Sequence, residues 1–403
     1  MQICLFDAKP DKFKKGRSSF FYKDIPILIL IFSLTLILTS CDPNTGNGAE
    51  PFTSVEVVAT EDNHSIALKD DGSLWAWGSN DRGQLGDGTA TDHRVPIKVG
   101  TATNWTTVSV GFYHAIALKD DGSLWAWGHN ANGQLGDNTT TRQNSPIRIG
   151  TDTDWISVAT GEEFSVALKD DGTLWAWGIN SSGQLGDGTT TNKTSPGKIG
   201  TDTNWAVMTA GFYHVVALRS DGSLWAWGAN QYGQLGDGTT TNKSNPVSIG
   251  ADKNWSSLSG GYGHTMAIKT NGTLWGWGFN GSGVLGDGTT ITRLTPIPIG
   301  VDSDWAIVSA GGGHTVAIKT NGTLWGWGFN SDGQLGDGTT TNRLRPVQIG
   351  ADSDWVAVAA GVYHTVALKS DGSLWAWGAN YTGQLGNGTL LNRKIPTRVY
   401  AAD

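Results

Sequence analysis

The chain has 403 residues and a formal net charge of −8, with 20 tryptophans and 57 glycines but only two cysteines. A nucleic-acid-binding protein needs a positive surface to displace counterions from phosphates, so the acidic balance argues against that class. Length alone would suggest about two or three domains. Two cysteines are too few for a disulfide-based scaffold.

The first 50 residues differ in composition from the rest. Six basic residues precede the apolar run IPILILIFSLTLIL, which extends from Ile25 to Leu38, and Leu38 begins the sequence LTSC that ends at Cys41. This order predicts a signal peptide, because the apolar run is short for a membrane span. The ending resembles the lipobox of bacterial lipoproteins, which implies cleavage after Ser40 and lipidation of Cys41. The alternatives are a short uncleaved membrane anchor and a chance apolar segment.

Cleavage would change both the charge and the thiol content of the chain. Residues 1–40 carry six basic and three acidic residues, so 22 Lys and Arg would remain against 33 Asp and Glu, a net charge of −11. Cys4 would leave with the signal and Cys41 would be blocked by lipid, which excludes a disulfide. Residues 41–52 follow as a predicted lipidated cysteine and flexible linker, rich in turn formers.

A pentapeptide, LWAWG or LWGWG, begins at residues 74, 124, 174, 224, 274, 324 and 374, always 50 residues apart. A fixed period of this length indicates a repeat protein in which each unit packs on its neighbours. Seven units fill residues 53–400 and leave no room for a second folded domain.

The second repeat contains four runs typical of strands, separated by turn residues. These predicted strands are Trp105–Val110, His114–Lys119, Ser123–Trp127 and Pro146–Ile149. The pair Asp121 and Gly122 between two such runs predicts a hairpin, because a tight turn needs residues that tolerate positive φ. Proline lacks the N–H that an inner strand must donate, so the fourth strand is expected to be outermost.

Four-stranded units repeated seven times predict an all-β fold, a seven-bladed β-propeller of antiparallel blades. The small residues near the end of each first strand, as in VATG and VSAG, suit the crowded axis of such a ring. A linear β-solenoid is the alternative, but it would need polar caps at both ends.

The pattern GxxHxxALxxDGxLWxWGxNxxGQLGxGT resembles the regulator of chromosome condensation repeat family. GQLG follows the WG at the same offset in six repeats, and Val284 replaces the glutamine in the fifth. The resemblance covers residues 53–400 and implies a seven-bladed propeller. It implies no single function, because one scaffold serves many.

The repeated tryptophans and histidines admit a functional and a structural interpretation. Seven WxW pairs such as Trp75 and Trp77 are expected to form the contacts between blades rather than a stacking platform for a ligand. Histidine recurs at residues 64, 114, 214, 264, 314 and 364, and phenylalanine replaces it at Phe164. Hydrogen bonding is favoured over a metal ring, because equivalent positions on diverging blades are too far apart to share one ion.

No enzymatic motif is recognisable in the chain. The DTD and DSD triplets, of which Asp152–Asp154 is the first, lack the remainder of a calcium loop and are interpreted as turn caps. We expect no catalytic residue, no cofactor and no bound metal.

The repeats differ most in two sets of connections that a four-stranded meander places on one rim. Aromatic, acidic and adaptable polar residues vary there, a composition typical of protein-binding surfaces. The alternative is that these side chains only fill gaps between loops. The candidate partner-binding residues are Phe112, Tyr113, His129, Glu162, Glu163, Phe212, Tyr213, Tyr232, Tyr262, Phe279, Phe329, Tyr363 and Tyr381.

The leading hypothesis is a non-catalytic, monomeric interaction protein that is exported, anchored to a bacterial membrane by lipid at Cys41, and binds an unidentified protein through this rim. The resemblance implies a second hypothesis, guanine-nucleotide exchange on a small GTPase, the activity of the family's namesake. The chain lacks a long insertion that could open a nucleotide pocket. Binding of envelope glycans by the rim aromatics is a third.

Overall fold

The computed structural model describes residues 52–400, in which every regular element is a β-strand. The predicted signal peptide, Cys41 and the predicted linker before Phe52 lie outside the described residues. Residues 52–400 contain no helix long and apolar enough to span a membrane.

The strands form seven sheets of four consecutive antiparallel strands each, paired in chain order. Blade 1 contains β1 (Val55–Glu61), β2 (His64–Lys69), β3 (Leu74–Gly78) and β4 (His93–Lys98); blade 2 contains β5 (Trp105–Val110), β6 (His114–Lys119), β7 (Leu124–Gly128) and β8 (Gln143–Ile149). Blade 3 contains β9 (Trp155–Thr160), β10 (Phe164–Lys169), β11 (Leu174–Gly178) and β12 (Lys193–Lys198); blade 4 contains β13 (Trp205–Ala210), β14 (His214–Arg219), β15 (Leu224–Gly228) and β16 (Lys243–Ser248). Blade 5 contains β17 (Trp255–Gly260), β18 (His264–Lys269), β19 (Leu274–Gly278) and β20 (Arg293–Pro298); blade 6 contains β21 (Trp305–Ala310), β22 (His314–Lys319), β23 (Leu324–Gly328) and β24 (Arg343–Gln348). Blade 7 contains β25 (Trp355–Ala360), β26 (His364–Lys369), β27 (Leu374–Gly378) and β28 (Arg393–Arg398).

This architecture confirms the predicted seven-bladed, all-β propeller. The fourth strand of every blade is at the sheet edge, as the recurring proline required. In blade 2 that strand begins at Gln143 rather than Pro146, because Gln143 pairs with Gly128 across a bulge that shifts the register. Proline therefore lies inside an edge strand and not at its start.

The DG hairpin is also confirmed. Gly72 has a φ of 73°, and a Cβ there would lie 2.3 Å from the carbonyl oxygen of Thr103. The Gly72 N–H donates to the carbonyl of Lys69 at 2.9 Å. Only glycine fits this turn, which presses against the link to the next blade.

The core consists of apolar clusters, each shared by two adjacent blades. In one, Leu74 and Leu85 of blade 1 pack against Trp105, Val108 and Trp127 of blade 2. Equivalent clusters join the other pairs of neighbours, including blade 7 with blade 1. Burial between blades, not within one blade, therefore stabilises the fold.

The recurring GQLG segment is explained by the tryptophan of the next blade. The indole Nε1 of Trp127 donates to the backbone carbonyl of Gln84 at 3.0 Å, and a Cβ on Gly86 would lie 2.7 Å from that nitrogen. Since this acceptor is a backbone carbonyl, Val284 keeps the bond, and its carbonyl accepts from Trp327 at 2.8 Å. Valine does lose the side-chain acceptor of the other six repeats, where the glutamine Oε1 accepts a backbone N–H two residues earlier, as Gln84 does from Arg82 at 2.8 Å.

The ring closes between blades 7 and 1 without exchange of a strand. Val55 stands where the other blades have a tryptophan, and Phe52 supplies the missing aromatic ring. Its centroid lies 5.4 Å from that of Trp75 and 6.1 Å from that of Trp77. The Phe52 N–H donates to the carbonyl of Val399 at 3.1 Å, so the residue links the two blades.

Candidate functional site

The tryptophan pairs hold blades together. Trp77 and its six equivalents are fully buried between blades. Trp75 and its equivalents are partly exposed, and in blade 2 Trp125 packs edge-on against Trp105 with ring centroids 5.8 Å apart. Both rings of each pair are thus engaged within the protein, as expected for structural tryptophans.

The acidic triplets pair with lysine, a role that the sequence analysis missed. Lys319 Nζ lies 2.7 Å from Asp302 and 3.0 Å from Asp304, and 4.9 Å from the ring centroid of Trp305. Burial lowers the pKa of Lys319, but the hydrogen bonds to the two carboxylates outweigh it and raise the pKa. Within residues 52–400, no group of three or more His, Cys, Asp or Glu residues is arranged to hold a metal ion.

The buried histidines form hydrogen bonds from blade to blade. His114 Nε2 lies 3.0 Å from the hydroxyl of Ser165 in the next blade, and that hydroxyl donates to the carbonyl of Gln134 at 2.8 Å. The hydroxyl must therefore accept from an Nε2–H, which defines the histidine tautomer. Burial lowers the pKa of His114 to about 3, so the ring is neutral at neutral pH.

Two junctions depart from this arrangement. Phe164 faces Val215 where other junctions have histidine and a hydroxyl, so both members of that pair have become apolar. His64 faces Ala115, and neither of its ring nitrogens has a hydrogen-bond partner among the described residues. The two apolar side chains of the first junction suit each other, whereas the imidazole of the second junction faces a side chain that cannot form a hydrogen bond.

We use the name loop rim for the rim formed by the first and third connections of the blades, which in blade 1 are residues 62–63 and 79–92. Successive blades are joined around its centre by backbone hydrogen bonds. Phe112 donates to Glu162 at 3.3 Å, Glu162 to Phe212 at 3.0 Å, and Phe212 to the carbonyl of Gly261 at 3.2 Å. Side chains at these positions in blades 2 to 5 are therefore held on a continuous backbone arc.

An aromatic row lies on this arc. The ring centroids are 4.6 Å apart for Phe112 and Tyr113, 5.8 Å for Phe112 and Phe212, and 4.8 Å for Phe212 and Tyr262. Tyr262 is 45% exposed, whereas Phe212 is only 7% exposed. Phe212 is thus the buried base of the row, which corrects the expectation that it is exposed, because its ring is covered by Phe112 and Tyr262.

Acidic side chains border the aromatic row. Burial raises the pKa of Glu162 to about 7, and the neighbouring charges of Glu163 and Asp62 add to this effect. Burial also raises the pKa of Asp62 to about 6. Glu163 has the opposite shift, because hydrogen bonding to His129 lowers its pKa. His129 Nδ1 lies 3.3 Å from Glu163 Oε1.

The remaining candidate residues are not part of the row. Tyr232 and Phe279 form a separate pair with centroids 5.2 Å apart. The hydroxyl of Tyr381 donates to Asp332, and Tyr381 is 60% exposed. Tyr363 is exposed, while Tyr213 and Phe329 are partly exposed, and none of these three rings contacts another aromatic ring in the described part of the chain.

Two further residues at the loop rim were not selected from the sequence. Arg82 places its guanidinium carbon 5.8 Å from the ring centroid of Tyr113. Glu61 occupies a position that is glycine in the other six blades, and burial raises its pKa well above the usual value. The departure from glycine was a visible signal for Glu61, whereas Arg82 carried none.

Family models cover nearly all of the propeller. A model described as the RCC1-like domain matches residues 39–314, and a model of the regulator of chromosome condensation (RCC1) repeat matches residues 321–368 and 371–402. A second RCC1 repeat model matches residues 305–334 and 355–384. The chain belongs to the RCC1 repeat family.

Several solved structures have a fold similar to that of this RCC1-repeat propeller. Human WBSCR16 is 21% identical with a TM-score of 0.74, and the match covers 81% of this chain and 94% of that one. Prp20p from Saccharomyces cerevisiae, described together with its binding to Gsp1p and histones, is 22% identical with a TM-score of 0.75, over 83% of this chain and 87% of that one. Yeast RCC1 (Prp20) bound by Kap60 is 20% identical with a TM-score of 0.74, over 91% of both chains. At these identities the likeness shows the fold alone, and no curated protein matches the chain significantly.

Proposed function

We propose that this RCC1-repeat propeller is a non-catalytic interaction scaffold that binds a protein partner through the loop rim. The observation that carries the proposal is the aromatic row formed by Phe112, Tyr113, Phe212 and Tyr262, bordered by Glu162 and Glu163. Tyr262 is exposed and Phe112 and Tyr113 are partly exposed, so the row presents large rigid rings at low entropic cost, as binding hot spots do. The acidic border favours a partner with basic residues at its centre.

Family membership supports an interaction role. Prp20p, which shares the fold, has described binding properties to Gsp1p and histones, and yeast RCC1 (Prp20) has been solved in complex with Kap60. Within the family the propeller therefore serves as a platform for other proteins. The partner of the present chain is to be identified by experiment.

We further propose that the propeller is exported and anchored to a bacterial membrane by lipid at Cys41. The support is the sequence of the first 41 residues, with its basic stretch, apolar run and LTSC ending. Fractionation of cells that express the wild type and Cys41→Ala tests this half of the proposal. Wild type is expected in the membrane fraction and to carry a lipid mass on Cys41. Absence of that mass would contradict it.

The rim is tested by affinity capture from envelope extracts. Wild type is compared with a Tyr113→Ala/Tyr262→Ala variant, and Val301→Ala on the opposite rim is the control because Val301 is 95% exposed. Loss of two hot-spot aromatics is expected to weaken capture of a specific partner at least about tenfold. Equal capture by all three folded proteins would remove the loop rim from the proposal.

Guanine-nucleotide exchange is the second candidate, favoured by family membership. It is distinguished by a nucleotide-release assay on a small GTPase, in which an exchange factor accelerates release catalytically. Simple binding by an interaction scaffold would leave the release rate unchanged.

A further inference from the structure

The loop before the last strand of blade 7 departs from the same loop in the other six blades. Leu390 and Leu391 occupy positions that elsewhere are threonine, with one alanine and one isoleucine. They are 41% and 63% exposed, and Ile395 on the adjoining edge strand is 59% exposed. Three exposed apolar side chains thus cluster within six residues.

The backbone of this loop does not explain the leucines. Asn380 Nδ2 donates to the carbonyl of Leu391 at 3.2 Å, and the Leu391 N–H donates to the hydroxyl of Thr389 at 3.3 Å. In blade 3 the same two bonds, made with Thr191, measure 3.2 and 3.3 Å. Threonine therefore supports this loop equally well, and the leucine side chains are free to serve a contact outside the blade.

The same loop has also lost its carboxylate. Blades 3 to 6 pair the first residue of the fourth strand with an aspartate six positions earlier, as Arg343 pairs with Asp337 at 2.7 Å. In blade 7 the aspartate is replaced by Asn387, and Nε of Arg393 has no hydrogen-bond partner among the described residues. The positive charge of Arg393 is no longer neutralised locally.

Two more cations flank the leucines. Lys394 is exposed beside Ile395, and Arg94 of blade 1 is exposed at the same seam, where its carbonyl accepts the N–H of Gly388 at 2.9 Å. We use the name blade 7 edge patch for Leu390, Leu391, Arg393, Lys394, Ile395 and Arg94. Apolar side chains among uncompensated cations are unusual in a chain whose predicted mature charge is −11.

This combination matches the chemistry of an anionic lipid surface. Leucine and isoleucine insert at the boundary of headgroups and acyl chains, and arginine and lysine attract acidic headgroups. We propose that the blade 7 edge patch docks on the membrane to which the chain is anchored, so that the propeller stands on its edge. This inference rests on the proposed anchoring at Cys41.

The entry of the chain into the fold favours a membrane over other occupants. Phe52, the first described residue, is hydrogen-bonded to Val399 directly after the edge strand of blade 7. Cys41 is eleven residues earlier, which limits its distance from Phe52 to about 40 Å. The predicted tether thus joins the fold at the seam of blades 7 and 1, and its length allows the blade 7 edge patch to reach the lipid. Leu390 and Leu391 belong to the blade 7 part of the loop rim, so docking there covers that part and leaves the aromatic row of blades 2, 4 and 5 to a partner.

A fluorescent probe at two equivalent positions tests the inference. The full chain with its own anchor, in a Cys4→Ser background, carries Leu391→Cys or the matched control Thr141→Cys of blade 2, each labelled with an environment-sensitive dye. Both are reconstituted in vesicles of phosphatidylcholine and phosphatidylglycerol that contain a spin-labelled lipid. Quenching at position 391 is expected to exceed that at position 141 at least about threefold. The difference should fall in vesicles of phosphatidylcholine alone.

A second variant distinguishes insertion of the leucine side chains into the membrane from simple closeness of the blade to the membrane surface. A dye at Ile395→Cys is measured with and without Leu390→Thr/Leu391→Thr, a change that copies the loops of other blades and so preserves the fold. Loss of most of the quenching supports the inference. Equal, weak quenching at positions 391 and 141 in vesicle-bound protein overturns it, and disulfide formation between two copies at position 391 would overturn it in favour of a dimer contact. Failure of the chain to float with vesicles would instead overturn the anchoring, and the docking with it.

Discussion

At the scale of single residues, equivalent positions in the seven blades can be compared with one another. The junction of His114 with Ser165 pairs the histidine Nε2 with the hydroxyl and leaves only Nδ1 without a partner among the described residues, and the junction of Phe164 with Val215 has no polar side chain. Among the junctions within residues 52–400, only that of His64 with Ala115 leaves a buried imidazole with both nitrogens unpaired. An unsatisfied buried polar group is destabilising, so this junction is a weak point that substitution can repair.

Ala115→Ser is expected to stabilise the protein. The new hydroxyl would be placed as Ser165 is relative to His114, at 3.0 Å from Nε2, and such a bond contributes about 1 kcal/mol. Chemical denaturation measures the change. Val215→Ser is the control: its hydroxyl could donate to a backbone carbonyl, as that of Ser165 does to Gln134, but Phe164 offers no imidazole to pair with and apolar packing is lost, so it should destabilise. Equal effects of the two substitutions would contradict the hydrogen-bonding role of the histidines.

At the scale of elements, blade 1 depends on an aromatic ring from outside its repeat. Phe52 packs on Trp75 and Trp77 as Trp105 packs on Trp125 and Trp127, with comparable centroid distances. No strand is exchanged at the seam, so these contacts and a few backbone bonds close the ring.

Phe52→Ala is expected to lower the free energy of unfolding by about 3 to 5 kcal/mol, the usual range for a buried phenylalanine. Hydrogen exchange should accelerate first in blades 1 and 7, because the seam opens before the other junctions. Adding Val55→Trp should restore stability, since Val55 occupies the position that is tryptophan in the other blades. A destabilisation below about 1 kcal/mol, or no rescue, would contradict the role of Phe52.

Much of the fold could be predicted because the period repeats every constraint seven times. The WxW pairs, the DG turns and the edge prolines each have one physical solution, and together they specify four strands per blade. Phe52 could not be predicted, because it lies three residues before the position that tryptophan occupies elsewhere. The start of the fourth strand was missed because a bulge after Ala126 alters the register.

The candidate site was less predictable than the fold. Variation among the repeats indicated which loops to examine, and the structure brings Phe112, Tyr113 and Tyr262 into one row with Phe212. Sequence alone could not show that Phe212 lies beneath the others, since exposure depends on residues from blades 50 and 100 positions away. It also could not show that the acidic triplets bind lysine, because that contact crosses a strand.

At the scale of the whole molecule, the buried histidines predict sensitivity to acid. Burial lowers the pKa to about 3 for His64, His114, His214, His314 and His364, and to about 4 for His264. The unfolded chain binds protons at these groups near pH 6.5, so stability is complete above that pH and is lost as the pH falls. Glu162 and Asp62 have raised pKa values and oppose part of the loss between about pH 7 and pH 4.

Denaturation between pH 7 and pH 4 should therefore show stability falling with acidification, each buried histidine contributing up to about 1.4 kcal/mol per pH unit. The double variant His214→Phe/Thr265→Val copies the apolar junction of Phe164 with Val215 and removes one such group. The free energy of unfolding of this variant should fall less steeply with acidification than that of the wild type, by up to about 1.4 kcal/mol per pH unit. Identical pH dependence of the variant and the wild type would contradict neutral burial of His214.

The two rims divide the molecule into a uniform and a variable side. The opposite rim consists of near-identical turns and links that pair lysines with aspartates. The loop rim carries the aromatic row and its acidic border. A protein that needed only a stable ring would have no reason to differentiate one rim, so we propose the loop rim as the binding surface.

The most direct measurement places a photo-crosslinking amino acid at position 262 on the loop rim or at position 301 on the opposite rim in living cells. Both wild-type side chains are exposed, so the probe is accessible in either place. We expect a discrete crosslinked protein from position 262 and none from position 301. Adducts of equal yield from both positions, or adducts from position 301 alone, would show that the loop rim is not the binding surface.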